Sequence, residues 1–158
     1  MHVAIQGQAG SFHNQAVQQW YGVDAEIIPC TTFSEVFTAY DSGDADAIVT
    51  AVENTLFGSI NEVYRYIEEC DAPIVGEIKL PVEQMLIGLP GAKISDINEV
   101  YSHPVALSQC RYFLQKHLPQ ATPIEFFDTA GAVEFIKQNG SRHCAAIASQ
   151  TAAELYNL

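Results

Sequence analysis

Short apolar runs alternate with amphipathic helical patterns along nearly the whole chain, and that alternation leaves few folds open. His2–Gln6 reads as a strand, Gly7-Gln8-Ala9-Gly10 as a turn, and Ser11 as the cap of a helix burying Phe12, Ala16 and Trp20 at i, i+4 and i+8. Ala25–Cys30 is a second strand. Thr32 and Glu35 have capping-box spacing ahead of Phe33, Val36, Phe37 and Tyr40 on one helical face, and Ser42-Gly43-Asp44 ends that helix. Asp46–Ala51 makes a third strand, and the next helix carries Val63, Tyr64 and Ile67. Apolar strands separated by helices imply a parallel or mixed sheet covered by helices.

After Cys70-Asp71-Ala72-Pro73 the rhythm changes. Ile74–Leu80 and Met85–Leu89 read as successive extended segments with no helix between them, which predicts a crossing from one lobe to another. Alternation then resumes. Strands at Val100–Ser102, Pro123–Phe127 and Cys144–Ala148 alternate with helices carrying Leu107, Cys110, Phe113 and Leu114, then Ala132, Val133 and Ile136, and a last helix through Tyr156. The expected division is residues 1–76, completed by 150–158, against 77–149.

Charge excludes one class of partner. The net charge is −12, and nucleic-acid binding is driven by Lys and Arg neutralising phosphates. Before Arg65 there are eight carboxylates (Asp24, Glu26, Glu35, Asp41, Asp44, Asp46, Glu53 and Glu62) and no Lys or Arg. An anion bound there must be met by neutral donors such as helix N-terminal amides, Asn, Ser and Thr, or by a cation from elsewhere; acidity that serves solubility is the competing reading. Cys30, Cys70, Cys110 and Cys144 are dispersed and the five histidines are scattered, so no metal is expected. No run is long enough to span a bilayer and no export signal opens the sequence, so free thiols in the cytoplasm are expected.

The densest polar segment is Glu53-Asn54-Thr55-Leu56-Phe57-Gly58-Ser59, just past the third strand. Ligands of α/β proteins gather at the carboxyl ends of strands, so these groups suit a small polar molecule; a capped turn entering the next helix is the alternative. Gly7–Ser11, Ser102-His103-Pro104 and Asp128-Thr129-Ala130 repeat the design of a strand followed by small polar residues opening a helix.

Taken in order, these segments resemble the prephenate dehydratase family. The resemblance rests on Gly7-x-x-Gly10-Ser11-Phe12, Phe33-x-x-Val36-Phe37, Val52-Glu53-Asn54-Thr55-x-x-Gly58-Ser59 and Gly76-Glu77-Ile78-x-Leu80-Pro81. It continues through Tyr101-Ser102-His103-Pro104-x-Ala106-Leu107-x-Gln109-Cys110, Thr129-Ala130-x-Ala132, Ala145–Ser149 and Ala152–Tyr156. It implies a two-lobed α/β fold like type II periplasmic binding proteins, mixed sheets flanked by helices, with a cleft between the lobes. It also implies decarboxylating dehydration of prephenate to phenylpyruvate, in phenylalanine biosynthesis, without a cofactor.

By the same resemblance Glu53, Asn54, Ser102 and Gln109 are the catalytic candidates, and Ser11, Thr55, Ser59 and Thr129 border the substrate. A cap on the following helix competes for Glu53, a solvent-facing position for Gln109, and a helix-capping role for Thr129. Ala51, Val105 and Gln84 stand where the family commonly has Pro, Gln and His. The family's Thr-Arg-Phe motif and its ACT regulatory domain are not found within residues 1–158. The expectation is therefore a weakly active piece of a longer enzyme, with an exposed sheet edge that favours a homodimer or higher oligomer. The alternative is a non-catalytic anion-binding module on the same fold. Arogenate, with an amine in place of the keto group, is the alternative substrate within the dehydratase reading.

Overall fold

Val3, Ala4 and Ile5 are all fully buried, because both faces of strand β1 (His2–Gln6) are covered. Successive side chains of a strand point to opposite faces. Val3 and Ile5 accordingly pack with Val17 of helix α1 (Phe12–Tyr21), and Ala4 packs with Val36, Phe37 and Val63. Those three belong to α2 (Phe33–Asp41) and α3 (Asn61–Glu69). On either side β1 pairs in parallel with β2 (Glu26–Cys30) and β3 (Ala47–Ile48).

This computed structural model describes residues 1–56 and 58–158. It divides into two compact units, Met1–Pro81 and Val82–Leu158. Phe57, part of the polar segment singled out above, lies outside the described residues.

Local chemistry sets the elements of the first unit. Ser11 and Thr32 cap α1 and α2 through their side-chain oxygens, and Glu35 Oε2 accepts the Thr31 amide at 2.7 Å. The third strand is shorter than expected. Its ladder with β1 reaches from Asp46 N, which donates to His2 O, to Val49 N, which donates to Ala4 O, and the chain then leaves the sheet. The polar segment beyond it is a small antiparallel hairpin, β4 (Glu53–Asn54) with β5 (Gly58–Ser59), where an open loop was expected. Trp20 differs from its expected burial. It is 44% exposed, and its ring lies against Gly76, where an added Cβ would run into Cη2. The expected strand Ile74–Leu80 has no ladder partner among the described residues. Ile74 and Val75 are 77% and 70% exposed, between Pro73 and Pro81, which bring no amide donors.

The second unit holds a four-stranded mixed sheet, β6 (Met85–Gly88), β7 (Glu99–Ser102), β8 (Thr122–Glu125) and β9 (Cys144–Ala148), in the order β6-β9-β7-β8. β6 runs antiparallel to β9, and β7 is parallel to both its neighbours. β9 is buried along its whole length. Cys144, Ala146 and Ala148 face Ala132, Val133 and Ile136 of α6 (Thr129–Asn139), whereas Ala145 and Ile147 face Val100, Leu107 and Leu114. The helix expected to run from Leu107 to Leu114 is two helices, α4 (Pro104–Gln109) and α5 (Arg111–His117), broken at Cys110. Phe113 is consequently turned outward, 41% exposed.

The last helix, α7 (Gln150–Leu155), is capped by Ser149 directly after β9. Ala152 is buried in the α6 core, Tyr156 and Leu158 pack against it, and Lys137 Nζ donates to the Tyr156 carbonyl. Residues 150–158, which the sequence reading assigned to the first lobe, thus lie in the second unit, and the division follows Pro81 rather than residue 76. All four cysteines are free. Among the described residues no helix is long and apolar enough to cross a membrane.

Candidate functional site

In the first unit three parallel strands end at one edge, and the polar residues singled out from the sequence follow them there. Gly7 turns the chain off β1 with φ +90°, and its amide donates to the Cys30 carbonyl at 2.8 Å. A side chain would disfavour that backbone geometry. Ser11 is buried and its Oγ accepts the Asn14 amide at 3.2 Å; Asn14 Oδ1 in turn accepts from Gly10 N at 3.0 Å. Ser11 therefore acts structurally as a helix cap at this edge.

Glu53, Asn54, Thr55 and Ser59 are brought together by the hairpin. Glu53 lies opposite Ser59 and Asn54 opposite Gly58, with φ +77° at Gly58 completing the tight reversal. Asn54 Oδ1 accepts the Leu56 amide at 2.9 Å, which holds the side chain over the turn in the manner of an Asx turn. Glu53, Thr55 and Ser59 are exposed and Asn54 is half-buried. The capping alternative for Glu53 does not hold: α3 begins after Ile60, with no side-chain cap.

Two residues at this edge went unnoticed in the sequence. His13 Nε2 accepts the Ala51 amide at 3.2 Å, and the ring also hydrogen-bonds the Gln6 backbone. Burial lowers its pKa to about 4, against the opposing pull of the Gln6 carbonyl. Thr50 Oγ1, on the same segment, is buried with no hydrogen-bond partner among the described residues. The available signal for His13 was its place two residues after a capping serine.

In the second unit β7, β8 and β9 end together at a corresponding edge. Because β6 runs the other way, with Met85 opposite Ala148, Gln84 arrives at that edge as well. Gln84 Nε2 donates to Gln109 Oε1 at 3.3 Å, and Gln84 Oε1 is buried without a partner among the described residues. Gln109, half-buried at the end of α4, is therefore not the freely solvated helix residue of the alternative reading; its amide is oriented by a neighbour.

Ser102 departs from the expectation that its hydroxyl turns toward the strand ends. It is fully buried, and Oγ donates to the Ile147 carbonyl of β9 at 2.6 Å. The cap of the following helix is His103, whose Nδ1 accepts from Val105 N at 3.3 Å. Burial lowers the His103 pKa, and the nearby carboxylates of Asp128 and Glu125 oppose that shift. Thr129 is the first residue of α6 but not its cap; Asp128 Oδ1 accepts the Gly131 amide.

Comparison with known proteins gives this arrangement its context. The sequence matches the family model for prephenate dehydratase over residues 3–158. It is 41% identical to arogenate dehydratase 5, chloroplastic, of Arabidopsis thaliana, over all of this chain and 37% of that protein. It is 36% identical to the bifunctional chorismate mutase/prephenate dehydratase of Aquifex aeolicus, over 99% of this chain and 42% of that protein. The crystal structure of prephenate dehydratase from Arthrobacter aurescens, in complex with L-Phe, superposes with a TM-score of 0.86 at 27% identity, covering 98% of this chain and 52% of that one. The chain thus spans less than half the length of these two sequence relatives. The extent of the match, from the first strand to the last residue, means that this chain belongs to the prephenate dehydratase family.

Proposed function

We propose that this chain carries the catalytic machinery for decarboxylating dehydration of prephenate to phenylpyruvate. The observation that carries this reading is the Glu53–Asn54 hairpin at the carboxyl edge of the first sheet, in a chain of this family. Prephenate has two carboxylates and a ring hydroxyl. The bond from the ring to its carboxylate breaks, its electron pair enters the ring, and the hydroxyl leaves as water after taking up one proton. Aromatisation drives the step, and the protein must grip a dianion and supply that proton.

Neutral donors suit the first unit, which has no Lys or Arg before Arg65. Oδ1 of Asn54 accepts from Leu56, so Nδ2 is the donor end of that amide. Gln109 is matched in the same way: Gln84 engages its Oε1, so Nε2 is the end that meets an anion. Glu53 is the acid group beside the leaving hydroxyl, and Thr55 and Ser59 of the same hairpin supply hydroxyls. Ser102 contributes by joining the end of β7 to β9.

The plant relatives named for arogenate support a second substrate for the same chemistry. The test is product formation from each compound by the purified chain and by Asn54→Ala. The wild type should form phenylpyruvate from prephenate, and loss of a donor aimed at developing charge should lower kcat/KM about 100-fold. Turnover of arogenate alone would change the substrate. Turnover of neither by a folded chain would favour the binding-module reading.

A further inference from the structure

We propose that His13 is a positioning residue that sets the Glu53–Asn54 hairpin against the first sheet by holding the Ala51 amide. The inference rests on the reading of that hairpin as part of the substrate site. The ladder with β1 ends where Val49 N donates to Ala4 O at 3.1 Å, and the hairpin closes where Ile60 N donates to Val52 O at 2.9 Å. Between those bonds the Ala51 amide donates to a side chain, His13 Nε2, 38 residues away in sequence. The path of the chain from sheet to hairpin is therefore fixed by an imidazole presented from the first turn of α1.

The imidazole is itself held. Because Nε2 accepts, the neutral ring carries its proton on Nδ1, and the ring is hydrogen-bonded to the Gln6 carbonyl at the end of β1. Phe33, opening α2, stands edge-on to it with centroids 6.2 Å apart. His13 thus ties the central strand, two helix starts and the segment leading to Glu53 into one cluster. A residue needed for bulk alone would require no acceptor facing Ala51. Catalysis depends on such placement, since a shift of about 1 Å far from the chemistry can cost about 100-fold in rate.

The test compares His13→Leu, which keeps bulk without polar atoms, with His13→Gln, which retains an acceptor and a donor. In His13→Leu, amide exchange across residues 51–54 should accelerate about tenfold, and kcat should fall at least tenfold with a smaller change in KM; His13→Gln should restore most of both. Wild-type exchange and kcat in His13→Leu would overturn the proposal. If that variant does not fold, the imidazole 15N spectrum of the wild type decides: Nδ1–H with a bare Nε2 supports the proposal, and Nε2–H overturns it. Should the wild type turn over neither substrate, the functional reading fails. Exchange at the hairpin and the tautomer would still report on His13 itself.

Discussion

Acidification should unlock the first unit through His13. In the unfolded chain an imidazole titrates near 6.5, whereas His13 in the fold titrates at about 4. The unfolded state therefore binds the proton first, so the contribution of the neutral ring is intact above pH 6.5 and is lost as pH falls toward 4. Each tenfold difference in proton affinity is worth about 1.4 kcal/mol, which gives a loss of about 2 kcal/mol by pH 5 and about 3 kcal/mol by pH 4. A loss of that size is a large part of the stability of an ordinary domain. Urea unfolding followed by Trp20 fluorescence measures it directly, because Trp20 lies in the same unit. His13→Gln removes the titration and leaves His103 and every carboxylate in place, so the difference between the two pH slopes isolates the ring. The variant should lose about 2 kcal/mol less than wild type between pH 7 and pH 5. Equal slopes would refute the reasoning, since the buried ring would then titrate like a solvated one.

Three substitutions probe other parts of the molecule. Ser102→Ala removes the donor to the Ile147 carbonyl and should cost about 1–2 kcal/mol in urea unfolding; wild-type stability would mean that the bond contributes nothing. Thr50→Val replaces a buried hydroxyl lacking a described partner with a methyl of the same shape. It should be neutral or stabilising by up to about 1 kcal/mol, and a loss larger than that would reveal a partner for Oγ1. Gly76→Ala places a methyl on the Trp20 ring. Because that ring is half-exposed and can swing outward, the cost should stay near 1 kcal/mol while the fluorescence maximum moves, and an unchanged spectrum would place the ring elsewhere.

Much of the fold was legible because the relevant interactions are local. The strand His2–Gln6 and the Thr32/Glu35 spacing both rest on interactions within a few residues, and both appear as read. Trp20 was misassigned because helical periodicity marks a stripe and not its depth; Ala16 is buried on that stripe while the indole lies near the surface over Gly76. Ser102 was harder still. A serine closing a strand before a helix has the composition of an outward cap, and its inward bond depends on Ile147, 45 residues later. Separations of 25 and 38 residues hid the pairing of Gln84 with Gln109 and of His13 with Ala51. The Glu53–Asn54 segment was recognised by its chemistry, whereas its hairpin geometry depends on Gly58 returning the chain antiparallel.

The two sheets differ in when their central strands leave the ribosome. In the first, β1 is made before its neighbours and waits for β2 and β3, both finished by Ile48. In the second, β9 is made last yet belongs between β6 and β7, with Ala148 opposite Met85. During synthesis β7 and β8 can pair, but β6 has no neighbour until Cys144–Ala148 emerges and inserts. The second unit therefore depends on a late, long-range closure of the slow, aggregation-exposed kind. Chains interrupted before residue 144 should present an open seam on that sheet, while β1, β2 and β3 of the first unit are already made.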